Sequence, residues 1–309
     1  MKRTSRQDLI IIANSASESL GRAVARELAS PFSAVVRQRF SDGEIHHSFS
    51  DDLGGRDIII VAATHDDASQ QELLDLIGGC HYYLANTINL VIPYLGYSTM
   101  EQAKPELTEI PKGITRTRQI FRARPDLTAF IDLHSEAVLH AHDGSIHSLH
   151  IQTDELLVNK INSLNLKDFA LVSPDYGRSK WVARLAGLLG VAHTAADKDR
   201  FAQDKTMVGQ VAGVVAGKTA IICDDMIRTG GSIIQTAQRC LDAGARDTIL
   251  MATHLVLSGD CRQKMEENGI KKVIGTDTYP DRVSDDLLDI YSVAPLVAQV
   301  LTKKLRLID

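Results

Sequence analysis

Two adjacent acids and a short glycine-containing loop form the clearest chemical signal in the 309-residue sequence. Asp224 and Asp225 end an apolar run at 220–223, and the loop after them contains Arg228, Thr229, Gly230, Gly231 and Ser232. Backbone N–H groups and the positive end of a helix dipole favour phosphate at such a loop, and glycines let the backbone approach it closely. Thr229 and Ser232 add hydroxyl donors. The acids could hold the hydroxyls of a sugar whose 5-phosphate binds among the glycines.

The hydrophobic pattern predicts the elements that position this loop. Residues 220–223 are apolar and β-branched, which is typical of a buried parallel strand. The carboxyl end of such a strand is the side of an open α/β sheet where ligands bind. A helix is predicted after the loop, with a core-facing stripe of Ile233, Ile234, Ala237, Cys240 and Leu241. A plain strand, turn and helix in which one acid caps the helix is the alternative interpretation.

Length and composition set the class of protein. A chain of 309 residues is long enough for two domains of about 150 residues each, and helical patterns alternate with short strands, which predicts an α/β fold. The net charge of -5 and the lack of a long Lys/Arg block argue against nucleic acid as the main partner. No apolar run approaches the ~20 residues of a membrane span. We expect a cytoplasmic protein whose four scattered cysteines lie in the core.

Two parts of the sequence share one order of elements. Residues 57–94 and the segment that begins at 219 both read as strand, polar loop, amphipathic helix, glycine turn and strand. This repetition predicts two similar halves. The loop of the first half, at 65–69, contains acids but no glycine, so we do not expect it to bind the same ligand.

Five motifs in a fixed order resemble those of one enzyme family. They are Phe-Ser-Asp-Gly-Glu at 40–44, Asp-Leu-His at 132–134, Ser-Pro-Asp-x-Gly at 173–177, Lys-x-Arg at 198–200 and Asp-Asp-x-x-x-Thr-Gly-Gly-Ser at 224–232. The last motif resembles the ribose-5-phosphate loop of the type I phosphoribosyltransferase fold, and the set is similar to the phosphoribosyl pyrophosphate synthetases, or ribose-phosphate pyrophosphokinases. The resemblance implies an α/β protein of two tandem phosphoribosyltransferase-like domains, each a mostly parallel sheet flanked by helices. We place them at 1–147 and 148–309, with the last helix as a candidate to pack on the first domain.

The resemblance implies transfer of the β,γ-diphosphate of ATP to the 1-hydroxyl of ribose 5-phosphate, which gives phosphoribosyl pyrophosphate and AMP. The sugar phosphate would be bound by Asp224, Asp225, Arg228, Thr229, Gly230, Gly231 and Ser232. Lys198 and Arg200 would be the catalytic cations, and in an extended segment both would face one group, because alternate side chains point the same way. An exposed charged hairpin is the alternative interpretation of that pair.

Two further motifs would hold Mg²⁺ and pyrophosphate. His134 and Asp175 are the implied Mg²⁺ contacts, and a contact through water suits His134, because Mg²⁺ prefers oxygen ligands. The implied pyrophosphate loop consists of Asp175, Tyr176, Gly177 and Arg178, where Arg178 replaces a glycine that is common in the family. A structural role for His134, and a helix-start role for Asp175, are the alternatives. The histidines at 140, 142, 147 and 150 lack clear ligand spacing, and we expect them at the surface.

The first nucleotide motif is retained. By resemblance Phe40 would stack on the base, and Asp42 and Glu44 would accept hydrogen bonds from its amino groups. In the family this segment projects from a neighbouring subunit, so a homo-oligomer built on dimers is implied. A β-turn with solvated acids is the alternative interpretation.

The second nucleotide segment departs from the family. Most members carry an Arg-Gln pair after a Gly-Tyr, whereas this chain continues with Thr99, Met100 and Glu101. Loss of an Arg that faces phosphate or purine removes a charge-assisted hydrogen bond. Lys104 or Arg116 could supply the missing charge.

Two other functions stay open from the sequence. A phosphoribosyltransferase would share the loop at 224–232, but the tandem halves and the motif at 40–44 speak against it. A catalytically weak homologue with a regulatory role would explain the altered segment at 99–101, but retention of Lys198 and Arg200 counts against it.

Overall fold

The computed structural model describes residues 5–142, 144, 146–196 and 211–307. The chain divides into two compact units. The first contains Met1–Gln152, Thr278–Asp281 and Ser292–Asp309, and the second contains Thr153–Asp277 and Arg282–Tyr291. The predicted boundary at 147/148 lies a few residues before this division, because the strand at His147–Ile151 completes the first sheet.

The first unit is built on a parallel sheet in the order β1-β4-β5-β6-β7. Its strands are β1 (Leu9–Ala13), β4 (Asp57–Val61), β5 (Thr87–Ile92), β6 (Leu127–Ile131) and β7 (His147–Ile151). Every residue of β1, β4 and β6 is buried, as expected for parallel strands that are covered on both faces. An antiparallel hairpin of β2 (Val35–Arg39) and β3 (Ile45–Phe49) stands apart from this sheet.

The helices of the first unit are α1 (Glu18–Glu27), α2 (Asp67–Tyr82), α3 (Lys112–Arg122) and a last helix at Ala294–Leu305. Short 3-10 turns lie at Ser15–Ser17, Ser98–Met100, Pro105–Leu107 and Glu136–His140. Leu20 and Val24 of α1, and Leu28 directly after it, form an apolar stripe that is buried. The last helix packs on α1.

The second unit repeats this plan with a parallel sheet in the order β13-β12-β11-β10-β8-β9. Its strands are β8 (Phe169–Ser173), β9 (His193–Ala195), β10 (Thr219–Ile227), β11 (Asp247–Leu255), β12 (Val273–Thr276) and β13 (Leu288–Tyr291). Helices lie at α4 (Asp154–Ser163), α5 (Ser179–Leu189), Gly231–Asp242 and Cys261–Glu267. The predicted α/β class with mostly parallel sheets is therefore confirmed.

Two details of the predicted strand and helix were wrong. The central strand does not end at Cys223, because Asp224 and Ile227 still pair with Ala252 and Leu255 of β11. The acids therefore lie inside the strand. Leu241 is 37% exposed because it lies in the last turn of its helix, beyond the buried stripe that ends at Cys240.

The four cysteines are buried and unpaired, which confirms the prediction that they pack in the core. Burial raises the pKa of the Cys80, Cys223 and Cys240 thiols to about 12, so these thiols stay protonated near neutral pH. In the described part of the chain, no helix is long and apolar enough to cross a membrane.

Candidate active site

The two acids of β10 lie side by side in the second unit and contact an arginine. Asp225 is buried, and its Oδ2 is 2.6 Å from Nη2 of Arg178. Asp224 is partly buried, and its Oδ1 is 3.9 Å from Nε of the same arginine. Oδ1 of Asp224 also accepts the backbone N–H of Asp225 at 2.9 Å. The pair and the guanidinium form one charged cluster in the second half of the strand, two to three residues before its carboxyl end.

The environment of the pair changes its protonation. Burial raises the pKa of the Asp224 carboxyl to about 8, the neighbouring charge of Asp225 adds to the rise, and Arg178 opposes it. Two adjacent carboxylates in a shielded place do not both ionise readily. Near neutral pH, Asp224 can therefore donate a hydrogen bond to a ligand oxygen as well as accept one.

The glycine loop after β10 ends on a helix N-terminus. Gly230 has φ of +78°, and a Cβ at this position would lie 2.8 Å from Sγ of Cys261. Only glycine adopts this conformation here without strain. Among the described residues, the backbone N–H groups of Thr229, Gly230, Gly231 and Ser232 have no hydrogen-bond partner. Such N–H groups at the positive end of a helix form an anion site.

The loop after β8 lies next to this cluster in the sheet, because β8 pairs with β10. Asp175 accepts the backbone N–H of Arg178 through Oδ1 at 3.0 Å, and Oγ of Ser173 donates to the carbonyl of Asp175 at 2.6 Å. Tyr176 is 42% exposed. Gly177 lies close to the carboxylate of Asp175, since a Cβ there would be 3.2 Å from Oδ1. One oxygen of Asp175 thus orders its own loop, and the other has no partner among the described residues.

The Asp-Leu-His motif follows β6 in the first unit. Asp132 is buried and has φ of +39°, an unfavourable conformation that costs of order 1–3 kcal/mol for a residue other than glycine. His134 is partly buried two residues later. His150 of β7 supports this turn: its Nε2 accepts the N–H of Leu133 at 3.0 Å, and its Nδ1 lies 2.8 Å from Oε1 of Glu136.

The expectation that His150 lies at the surface was wrong. Its side chain is 13% exposed, because the strand His147–Ile151 places it beside Phe130 of β6. Its position one residue before a buried isoleucine in a strand could have indicated this role. The sequence shows no spacing that links it to Asp132 and His134.

The hairpin of the first unit presents the first nucleotide motif. Phe40 is 45% exposed at the tip, and its N–H donates to the carbonyl of Glu44 at 2.8 Å. Asp42 accepts the N–H of Glu44 through Oδ1 at 3.0 Å, so it shapes the turn. The side chains of Asp42 and Glu44 are exposed. The three residues form one accessible tip that joins an aromatic ring to two acids.

The second nucleotide segment is a short 3-10 turn at Ser98–Met100. Thr99 and Glu101 are partly buried, and Met100 is 43% exposed. Of the two candidate replacement cations, Arg116 is bound to Oδ1 of Asp67 at 2.8 Å. Lys104 makes no side-chain hydrogen bond or ion pair to a described residue, which leaves its ammonium able to meet a ligand.

Lys198 and Arg200 lie outside the described residues. The other predicted residues fall into separate groups. The second unit joins Asp224, Asp225, the glycine loop and Arg178, while the first unit carries His134, the hairpin tip and residues 99–101.

The described residues contain no group of three or more His, Cys, Asp or Glu side chains arranged to hold a metal ion. Mg²⁺ differs from metals that need such a group, because it keeps several waters and binds one or two carboxylates together with substrate phosphates. The second carboxylate oxygen of Asp175, which has no described partner, suits that mode. The donor set therefore fits Mg²⁺ that is bound together with phosphate groups.

Known proteins resemble the chain over nearly its whole length. Residues 9–112 match the N-terminal domain of ribose phosphate pyrophosphokinase, and residues 194–306 match the phosphoribosyl synthetase-associated domain. The chain is 31% identical over 298 residues to the ribose-phosphate pyrophosphokinase of Wolinella succinogenes, an alignment that covers 95% of this chain and 94% of the relative. It is 28% identical over 299 residues to that of Bacillus caldolyticus, with 96% and 94% covered. The crystal structure of phosphoribosylpyrophosphate synthetase from Mycobacterium smegmatis superposes with a TM-score of 0.82 at 29% identity, and covers 96% of this chain and 99% of that one.

Proposed function

We propose a reaction for this chain from the premise that it belongs to the ribose-phosphate pyrophosphokinase family. The enzyme transfers the β,γ-diphosphate of ATP to the 1-hydroxyl of ribose 5-phosphate, and the products are phosphoribosyl pyrophosphate and AMP. The observation that carries the sugar site is the acid pair of β10, followed by a glycine loop whose N–H groups have no partner among the described residues.

The sugar phosphate is bound by both ends of this segment. The N–H groups from Thr229 to Ser232, with the hydroxyls of these two residues, bind the 5-phosphate at the helix N-terminus. Asp224 and Asp225 bind the sugar hydroxyls, and Arg228 adds positive charge beside the phosphate. This arrangement fixes the position of the attacking 1-hydroxyl, and fixed orientation accounts for a large part of the rate of such transfers.

The diphosphate is bound by the loop of Asp175, Tyr176, Gly177 and Arg178 and by the cations Lys198 and Arg200. The cations stabilise the oxygens that gain charge at the transferring phosphorus in the transition state. The bond from the β-phosphorus to the oxygen that bridges it to the α-phosphate breaks as a bond forms to the 1-oxygen of the sugar. The bridging oxygen leaves with AMP, and the hydroxyl proton passes to water. Positioning and charge stabilisation suffice, so no covalent enzyme intermediate is needed.

The proposed cofactor is Mg²⁺, with one ion contacted by His134, through water, and a second by Asp175. When bound, the metal offsets the charge of the phosphate groups. The supporting observations are the accessible oxygen of Asp175 and the strained, hydrogen-bonded turn that carries His134.

The nucleotide is proposed to contact Phe40, Asp42 and Glu44, together with the segment of Thr99, Met100 and Glu101. The exposed hairpin tip supports a base contact that is made to a second copy of the chain, and hence a homo-oligomer built on dimers. Light scattering after size-exclusion chromatography tests this assembly: a monomer that retains full activity would contradict it. We also place the enzyme in the cytoplasm, the compartment that suits its unpaired cysteines.

The direct test is an assay of the purified protein with ribose 5-phosphate, Mg²⁺ and a panel of nucleoside triphosphates, in which AMP and phosphoribosyl pyrophosphate are followed together. We expect equal amounts of both products with ATP. Consumption of phosphoribosyl pyrophosphate with a base would instead indicate a phosphoribosyltransferase. Binding of the sugar phosphate without turnover of any triphosphate would indicate a regulatory homologue.

A further inference from the structure

Arg178 already binds the acids that the sugar is proposed to use. Its Nη2 lies 2.6 Å from Oδ2 of Asp225, and its Nε lies 3.9 Å from Oδ1 of Asp224. The side chains of Arg178 and Asp225 are 21% and 8% exposed. A hydrogen bond between a guanidinium and a carboxylate is among the stronger polar contacts in proteins, and it is stronger when shielded from water.

The small exposed surface of Asp225 leaves little room for a second donor while Arg178 is in place. A sugar hydroxyl therefore reaches this carboxylate only when the guanidinium moves. The backbone of Arg178 is fixed separately, because its N–H donates to Asp175 at 3.0 Å and the residue directly precedes α5. The side chain can thus change partners without a change in the loop or the helix.

We propose that Arg178 is a resident counter-ion of the acid pair, which leaves Asp225 when the hydroxyls of the sugar phosphate bind and so lowers the affinity of the site for that sugar. The inference rests on the proposed function, since it concerns the ligand assigned to the pair. It makes Arg178 a residue that sets substrate affinity, in addition to its place in the proposed pyrophosphate loop.

The inference predicts that removal of the guanidinium strengthens sugar binding. Arg178→Met keeps the length of the side chain and removes its donors, so the acid pair of the ligand-free protein loses its contact with this guanidinium. Binding of the sugar hydroxyls then no longer has to displace this guanidinium. We expect the Kd of ribose 5-phosphate to fall about tenfold, the effect of losing one competing charged hydrogen bond.

The experiment measures Kd by isothermal titration calorimetry for the wild type, Arg178→Met, Arg178→Lys and a control, Arg184→Gln. Arg184 lies on the same helix, but its Nε pairs with Oδ2 of Asp154 at 2.6 Å. Inorganic phosphate serves as a second probe, because it has no sugar hydroxyls to bind the acid pair. We expect Arg178→Lys and Arg184→Gln to stay within about twofold of the wild type, and phosphate affinity to change less than sugar phosphate affinity in Arg178→Met.

Weaker binding of ribose 5-phosphate by Arg178→Met would overturn the inference, and so would an equal gain for inorganic phosphate. Loss of binding by every variant and the wild type would overturn it as well, because the acids would then not be a sugar site. Tighter sugar binding by Arg178→Met, together with no formation of AMP from ATP by the wild type, would support the inference and contradict the proposed function. Normal AMP formation by the wild type, with an unchanged Kd for ribose 5-phosphate in Arg178→Met, would support the proposed function and overturn the inference.

Discussion

The two units contain the same strand, loop and helix plan, but two of their strand-to-helix loops differ in what their N–H groups contact. In the first unit, the loop after β1 binds a carboxylate of its own chain: Glu72 accepts the N–H of Ser15 at 3.0 and 3.1 Å and its hydroxyl at 2.5 Å. Nε of Arg37 lies 2.5 Å from the same carboxylate. In the second unit, the glycine loop after β10 has N–H groups without a partner among the described residues.

The difference shows that the same arrangement of strand, loop and helix can either stabilise the fold or bind a ligand. Glu72 supplies in the first unit the negative charge that a phosphate would bring, so this anion site is already filled. The acid of the neighbouring loop is also used locally, since Asp66 accepts the N–H of Ser69 at 2.8 Å and caps α2. In the second unit the acids lie in the strand instead, where they cannot cap the helix, and the loop donors stay open to a ligand.

The largest expected effect comes from the proposed catalytic cation Lys198. Lys198→Ala should lower kcat about 10²–10³-fold, because it removes one charge from the transition state, while the melting temperature stays unchanged. Steady-state assays and thermal unfolding measure the two quantities. Lys205→Ala, in the same polar run, is the matched control and should stay close to the wild type. Near-normal turnover of Lys198→Ala would remove it from the catalytic role.

Breaking the contacts of Glu72 with Ser15 and Arg37 should destabilise the protein. Glu72→Gln removes the nearer of the two carboxylates beside the partly buried Arg37 and leaves only Glu18, at 3.7 Å, so we expect the free energy of unfolding in urea to fall by about 3 kcal/mol. The control Glu266→Gln breaks the exposed pair with Arg262, which lies at 3.0 Å, and should cost less than about 0.5 kcal/mol. Equal losses in the two variants would show that the Glu72 contact has no special structural role.

The glycine loop should tolerate alanine at Gly231 but not at Gly230. Gly230→Ala forces a side chain into φ of +78° and against Cys261, so we expect a loss of about 2 kcal/mol in unfolding free energy. Gly231→Ala is the control, since nothing lies within 4 Å of the new Cβ and alanine suits the first turn of a helix. Chemical denaturation of both variants separates backbone strain from a general effect of the loop.

The smallest effect concerns pH. The pKa of Asp224 is raised from 3.8 to about 8, so the folded protein binds this proton more tightly than the unfolded chain. Its contribution to stability is complete below about pH 4 and is lost as the pH rises through about 8. Asp224→Asn removes this dependence. We expect its stability relative to the wild type to rise by about 1.4 kcal/mol from pH 6 to pH 7, whereas parallel stability curves would contradict the raised pKa.

The regular parts of the fold were predictable because apolar residues repeat with the period of their element. The stripe of Leu20, Val24 and Leu28 shows this, and so does the buried run before Asp224. The extension of β10 to Ile227 was not predictable in this way, because two adjacent acids resemble the start of a loop. Only pairing with β11 shows that they belong to the strand.

The other features that the sequence did not predict are polar contacts between residues far apart in the chain. Glu72 and Ser15 are far apart in sequence, and no local pattern indicates that they meet. The same holds for Arg178, which was placed in a phosphate loop from its motif although its guanidinium lies on Asp225. The contacts of His150 with Leu133 and Glu136 were missed for the same reason, since no local pattern indicates them. Residue types indicate which chemistry a site can perform, but the partners of charged side chains depend on how the strands are ordered.

The central claim is that a pentose 5-phosphate binds at the acid pair and glycine loop of the second unit. A crystal structure of the protein soaked with ribose 5-phosphate tests it directly. We expect the phosphate within hydrogen-bond distance of the N–H groups of Gly230, Gly231 and Ser232, and the sugar hydroxyls on Asp224 and Asp225. Sugar phosphate bound beside Ser15 of the first unit, or a second-unit loop without ligand at saturating concentration, would contradict it.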